Sequence, residues 1–108
     1  MGINSDIPQI SPEEAMELMN ASDVSIVDIR DSNSFQEAHI KDAMQLSQGN
    51  LESFLDSADK FKTLICYCYH GISSIEAAHF LKSKGFADVR SLRGGFEAWR
   101  KSFPNTTE

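Results

Sequence analysis

A chain of 108 residues fits one compact domain, and we expect a single domain over residues 1–108 with its core at about 7–104. Apolar residues make up 41% and charged residues 24%, which argues against disorder, and the net charge of −6 without a basic run argues against a nucleic-acid partner. No stretch has signal-peptide length or approaches the roughly 18 apolar residues needed to span a bilayer, so no membrane association and a cytoplasmic location are expected.

At the N-terminus, Gly2 suits a myristoylation signal, but Asp6 stands where that signal requires Ser or Thr. A short strand is expected over residues 7–10. Ser11-Pro12-Glu13-Glu14 then reads as a capping box with Pro at the first helical position, followed by Ala15, Leu18 and Met19 at helical spacing. Residues 24–29 are rich in Val and Ile and predict a buried strand ending at Asp28-Ile29-Arg30-Asp31. Leu51, Phe54, Leu55 and Ala58 mark one face of a two-turn helix. A second buried strand is expected over residues 63–68. The next helix, 73–84, opens on a second apparent capping box, Ser73-Ser74-Ile75-Glu76, and closes at Gly85. Residues 89–92 predict a short strand. Gly94-Gly95 leads into a last helix whose Phe96, Trp99 and Phe103 share a face, with Pro104 as its stop. Strands alternating with helices imply an α/β fold, a small and mainly parallel sheet with helices on both faces, and a site at the carboxyl ends of the strands.

Chemistry is expected in Cys68-Tyr69-His70-Gly71-Ile72-Ser73-Ser74, between a strand end and a helix N-terminus. A short loop wrapped around a sulfur aims backbone N–H groups inward, and Gly71 permits the positive φ or close approach such a turn needs. The helix N-terminus adds positive potential, which lowers the pKa of a thiol and stabilises its thiolate. Position alone leaves a second reading open, in which Cys68 is a small buried hydrophobe at a strand end.

This loop resembles the active-site loop of rhodaneses, in particular the single-domain thiosulfate sulfurtransferases of the GlpE type. Val27-Asp28-Ile29-Arg30, Ala38-His39-Ile40 and Leu92-Arg93-Gly94-Gly95-Phe96-Glu97-Ala98-Trp99 extend the resemblance along nearly the whole chain. The resemblance implies a rhodanese-like fold and a Cys68 persulfide that carries sulfur from thiosulfate to a thiophilic acceptor. That acceptor would be cyanide in an assay and a dithiol such as reduced thioredoxin in a cell. The residues after Cys68, from Tyr69 and His70 through Gly71, Ile72 and Ser73 to Ser74, would bind the substrate through their backbone. No metal or organic cofactor is implied.

Phosphatases and arsenate reductases of the same fold have a longer loop ending in an arginine. Ser74 occupies that arginine's place here, which removes the bidentate donor that would grip phosphate. A domain that only relays or docks sulfur is the alternative from outside enzymology.

Asp28 and Arg30 sit at the end of a buried strand, where two charges favour a structural pair over a catalytic role. Arg93 is a candidate cation on the rim of the site. His70 and Tyr69 are read as pocket walls, because a prepared thiolate needs no base. Cys66 shares a strand face with Cys68 and is assigned to the core, while His39 and His79 are assigned to packing or surface. The scattered histidines and the Cys-x-Cys pair do not supply four ligands for a structural zinc. Glu76, near the start of the helix, would repel an anionic donor and weaken thiosulfate binding.

Overall fold

The computed structural model describes residues 7–107; the lipidation signal weighed at residues 1–6 lies outside the described residues. Strands β1 (Gln9–Ile10), β2 (Ser25–Asp28), β3 (Met44–Gln45), β4 (Thr63–Tyr67) and β5 (Asp88–Leu92) form one sheet. Their order is β1-β5-β4-β2-β3, and every neighbouring pair is parallel. The chain crosses between strands through helices α1 (Pro12–Ala21), α2 (Ser32–Glu37), α3 (Leu51–Ser57) and α4 (Ser73–Ser83), and α5 (Gly95–Ser102) follows the last strand. None of the helices described is long and apolar enough to cross a membrane.

The central strand explains the layering. Along β4, Leu64 and Cys66 point to one face, where they meet Phe54 of α3 with Ala78 and Leu81 of α4. Ile65 and Tyr67 point to the other, where they meet Ala15 of α1 with Phe96 and Trp99 of α5. Helices cover both faces, so β4 is buried at every position from Leu64 to Tyr67 rather than at alternate ones. Trp99 is fully buried and packs its ring 4.9 Å from that of Phe103.

Four details depart from the sequence reading. Helix α2 and the edge strand β3 are additional elements. The strand expected over residues 63–68 ends at Tyr67, which leaves Cys68 in the loop beyond it. Pro104 stops α5 as expected, but a 3-10 turn over Pro104–Thr106 follows it. The second capping box does not form: Ile72, in helical backbone conformation, is the N-cap of α4 and makes no side-chain cap. Ser73 is therefore the first helical residue, and Glu76 falls one position too late to reach back. By contrast, Ser11 caps α1 in full, accepting from the Glu14 N–H at 3.1 Å while the Glu14 carboxylate accepts from the Ser11 N–H at 2.8 Å.

This contrast is measurable by urea unfolding. Ser11→Ala should lower stability by about 1 kcal/mol, the usual loss for a helix cap. Ser73→Ala should change it by less than about 0.5 kcal/mol, as at an ordinary exposed site. Equal losses at the two positions would contradict the assignment of the helix starts.

Candidate active site

The loop from Cys68 to Ser74 leaves the carboxyl end of β4 and enters α4. Gly71 N–H donates to the Cys68 Sγ at 3.2 Å and Ser74 N–H donates to it at 3.3 Å. Ser74 is the second helical residue, so the sulfur accepts the hydrogen bond that a capping side chain would otherwise take. The Ser73 capping box is absent for a different reason: the helix starts one residue early, at an Ile72 N-cap, so Ser73 is already helical and Glu76 is not at the third position. The Ser74 hydroxyl also lies against the sulfur, 3.4 Å away. Gly71 has φ +86°, and a Cβ there would stand 2.8 Å from the Gly94 nitrogen, so no other residue fits without strain.

Burial opposes ionisation of Cys68. The Ser74 hydroxyl and the N–H groups of Ser74, Gly71 and His70 outweigh it, and hold the thiol below its ordinary pKa. The folded thiolate is thus favoured, and the stability it confers at high pH is lost as pH falls through that lowered pKa. Cys66 behaves in the opposite way: fully buried within β4, it has its pKa pushed up, first by desolvation and then by the neighbouring Cys68. Two thiols two residues apart are therefore separated chemically by one strand end.

Cys68 faces an open cleft of about 490 Å³ walled by Ile29, Arg30 and Asp31 on one side and by Tyr69, His70, Ile72 and Ser73 on the other. Tyr69, His70, Ile72 and Ser73 are exposed, whereas Gly71 and Ser74 are buried behind the sulfur. The Tyr69 hydroxyl is hydrogen-bonded to the Ser34 hydroxyl on α2, which ties the loop to the helix absent from the sequence reading. Asp31 starts that helix by accepting from the Ser34 N–H at 3.1 Å.

Asp28 and Arg30 are brought together as a structural pair. Arg30 Nε lies 3.0 Å from each Asp28 carboxylate oxygen and Nη2 lies 2.6 Å from Oδ2. A further Nη2 bond reaches the Ala38 carbonyl at 2.7 Å, and the guanidinium stacks 4.2 Å from the Phe96 ring and 5.2 Å from that of Tyr69. Both charged side chains are almost wholly buried. Arg93 is placed away from the cleft: its guanidinium donates to the Gln9 carbonyl at 2.8 Å, at the β1 edge. The carboxylate of Glu76 is exposed, outside the residues that wall the cleft.

Sequence reasoning missed three groups. Ser74 contributes its side chain as well as its backbone. Ser91 of β5 holds the Ser74 hydroxyl at 2.7 Å, and its one sequence signal is a polar residue among the inward-facing positions of a buried strand. The N-terminus of α5 completes the loop: Phe96 N–H donates to the Cys68 carbonyl at 2.8 Å and Glu97 N–H to the Tyr69 carbonyl at 3.1 Å. This close approach requires Gly95, whose φ is +61° and whose Cβ would lie 2.6 Å from the Cys68 carbonyl oxygen.

Residues 11–102 match the family model of the Rhodanese-like domain. A Coxiella burnetii thiosulfate sulfurtransferase GlpE is 46% identical over 98 residues, 91% of this chain and 92% of that protein. The rhodanese-like domain of Alr3790 from Anabaena superimposes with a TM-score of 0.81 at 27% identity, covering 94% of this chain and 78% of the other. A Rhodopseudomonas palustris protein described as a possible tyrosine phosphatase superimposes with a TM-score of 0.77 at 32% identity, covering 92% and 83%.

Replacing Arg30 by Met should leave the buried Asp28 carboxylate unpaired. We expect a loss of about 3–5 kcal/mol in urea unfolding, the usual consequence of breaking one side of a buried ion pair. A loss under about 1 kcal/mol would show that the pair does not hold the β2 terminus.

Proposed function

The chain belongs to the rhodanese family, and on that premise we propose that it is a thiosulfate sulfurtransferase in which Cys68 is the sulfur carrier. The observation that carries this reading is the sulfur itself, bonded by two loop N–H groups and a hydroxyl while facing an open cleft.

The reaction balances without a cofactor. The Cys68 thiolate attacks the outer sulfur of thiosulfate, a new S–S bond forms, and the S–S bond of thiosulfate breaks with its electron pair leaving on sulfite. The persulfide then yields its terminal sulfur to an acceptor nucleophile and the thiolate returns. Neither step requires a proton from a base, so His70 and Tyr69 serve as walls of the cleft rather than acid or base. The loop N–H groups stabilise negative charge on the sulfur in the thiolate and persulfide states. Tyr69, His70, Gly71, Ile72, Ser73 and Ser74 together form the donor-binding loop. Glu76 adds negative charge near the cleft and would weaken attraction of the dianionic donor.

Phosphate chemistry fits this site poorly. Arg30 is the arginine among the residues that wall the cleft, and its guanidinium is already committed to Asp28, to the Ala38 carbonyl and to the Phe96 ring. Ser74 stands in the place of an oxyanion-gripping arginine. The physiological acceptor we favour is a dithiol such as reduced thioredoxin, and a reducing cytoplasmic setting suits two free thiols.

Turnover of free thiosulfate with cyanide, followed as thiocyanate, tests the assignment. Cys68→Ala should reduce turnover to the uncatalysed rate in a folded protein. Cys66→Ala should stay within about threefold of wild type, because its effect is confined to packing. Persistent turnover in the Cys68 variant would overturn the assignment, and activity seen only with a protein-borne sulfur donor would replace the enzyme with a sulfur relay.

A further inference from the structure

Behind the sulfur, two serines form a buried hydroxyl chain of which the mechanism above uses only the first member. Ser74 Oγ lies 3.4 Å from the Cys68 Sγ and 2.7 Å from Ser91 Oγ, and both serines are 0% exposed. Ser91 stands on β5 directly beside Cys66 of β4, on the sheet face where Val89 belongs to the apolar core. A hydroxyl at such a position is desolvated and needs a partner to compensate. Among the described residues that partner is Ser74 alone.

Counting hydrogens gives the chain a direction. With Cys68 as a thiol, there are three donor hydrogens, on Sγ and on the two hydroxyls. If the thiol donates to Ser74 and Ser74 donates to Ser91, the Ser91 hydrogen is left with no acceptor in the chain. With Cys68 as a thiolate, two hydrogens remain and both are used: Ser91 donates to Ser74, and Ser74 donates to the sulfur. An unpaired buried hydrogen is costly, and a thiol that turns its hydrogen to the cleft instead offers Ser74 only a weak acceptor, so the chain as a whole favours the ionised sulfur.

We propose that Ser91 is a positioning residue for sulfur transfer, whose hydroxyl turns the Ser74 hydroxyl toward the Cys68 thiolate and so supports the attacking form of the enzyme. The proposal rests on the reading of Cys68 as a reactive thiolate. Ser91 touches neither donor nor acceptor and acts through Ser74. Hydrogen bonds in series polarise one another, so its removal weakens the bond to sulfur as well as freeing the Ser74 rotor.

The test is the pH dependence of Cys68 alkylation by iodoacetamide, with the modified cysteine assigned by tandem mass spectrometry. Wild type, Ser91→Ala, Ser74→Ala and the double variant form a cycle, each checked by thermal unfolding. Ser91→Ala should move the profile to higher pH and, on the acidic limb well below the pKa, slow alkylation by about threefold, the scale of a shift of half a pH unit. In the Ser74→Ala background the same change should have no further effect. The isosteric pair Ser91→Thr and Ser91→Val gives the comparison at matched volume: Thr should keep the wild-type profile and Val should shift it. An unshifted profile in a folded Ser91→Ala or Ser91→Val protein, or an undiminished shift in the Ser74→Ala background, would overturn the proposal. A wild-type Cys68 that titrates as an ordinary thiol would instead overturn the thiolate reading itself, so the two failures are distinguishable.

Discussion

The structure depends on where the backbone polar groups of one seven-residue loop are paired. Closing the loop around a sulfur gives the Gly71 and Ser74 N–H groups an acceptor, but the carbonyls of Cys68 and Tyr69 then need donors of their own. They find them in the first turn of α5, at Phe96 and Glu97. A helix N-terminus has unpaired donors to give, and Gly95 allows the two backbones to approach closely enough. The active loop and the Gly94-Gly95 turn are therefore two halves of one hydrogen-bonding arrangement. α4 supplies positive potential to the sulfur and α5 fixes the loop that holds it.

The same arrangement explains how the site can favour an anion without a free cation at its centre. Arg30 walls the cleft, yet its charge is matched by Asp28 and its guanidinium is buried against aromatic rings. The negative sulfur is met by dipoles that are already fixed when charge develops, which need no reorganisation. A fixed guanidinium fork would suit tetrahedral phosphate; loop N–H groups and a hydroxyl suit a soft, compact sulfur anion. Burial, which raises Cys66, would raise Cys68 as well if the strand ran one residue further and the loop donors were lost.

Much of this was legible in the sequence because it rests on patterns of local origin. The continuous apolar run at β4, the Ser11 capping box and the helical spacing of Phe96 and Trp99 each reflect a single element packed on one or both faces. The parallel α/β order and the strand-to-helix position of Cys68 follow from those. Helix α2 was not legible: it has six residues, none of them buried, and so no apolar stripe to betray it. β3 has two residues at a sheet edge, too few for any period. The second capping box had the right letters, but the loop that closes on the Cys68 sulfur places the N-cap at Ile72, one residue before the serine that would have capped. Arg93 looked like a rim cation because it follows β5; the short β1 lies alongside and its Gln9 carbonyl captures the side chain. Ser91 carried a signal, polarity on an inward face, whose meaning required knowing that Ser74 lies opposite.

Intact-protein mass spectrometry after brief exposure to thiosulfate, followed by fragment mapping, tests the central claim most directly. The account predicts a gain of one sulfur atom located on Cys68, removed on addition of cyanide, with Cys66 unmodified. No gain in mass, or a sulfur located on Cys66, would contradict it.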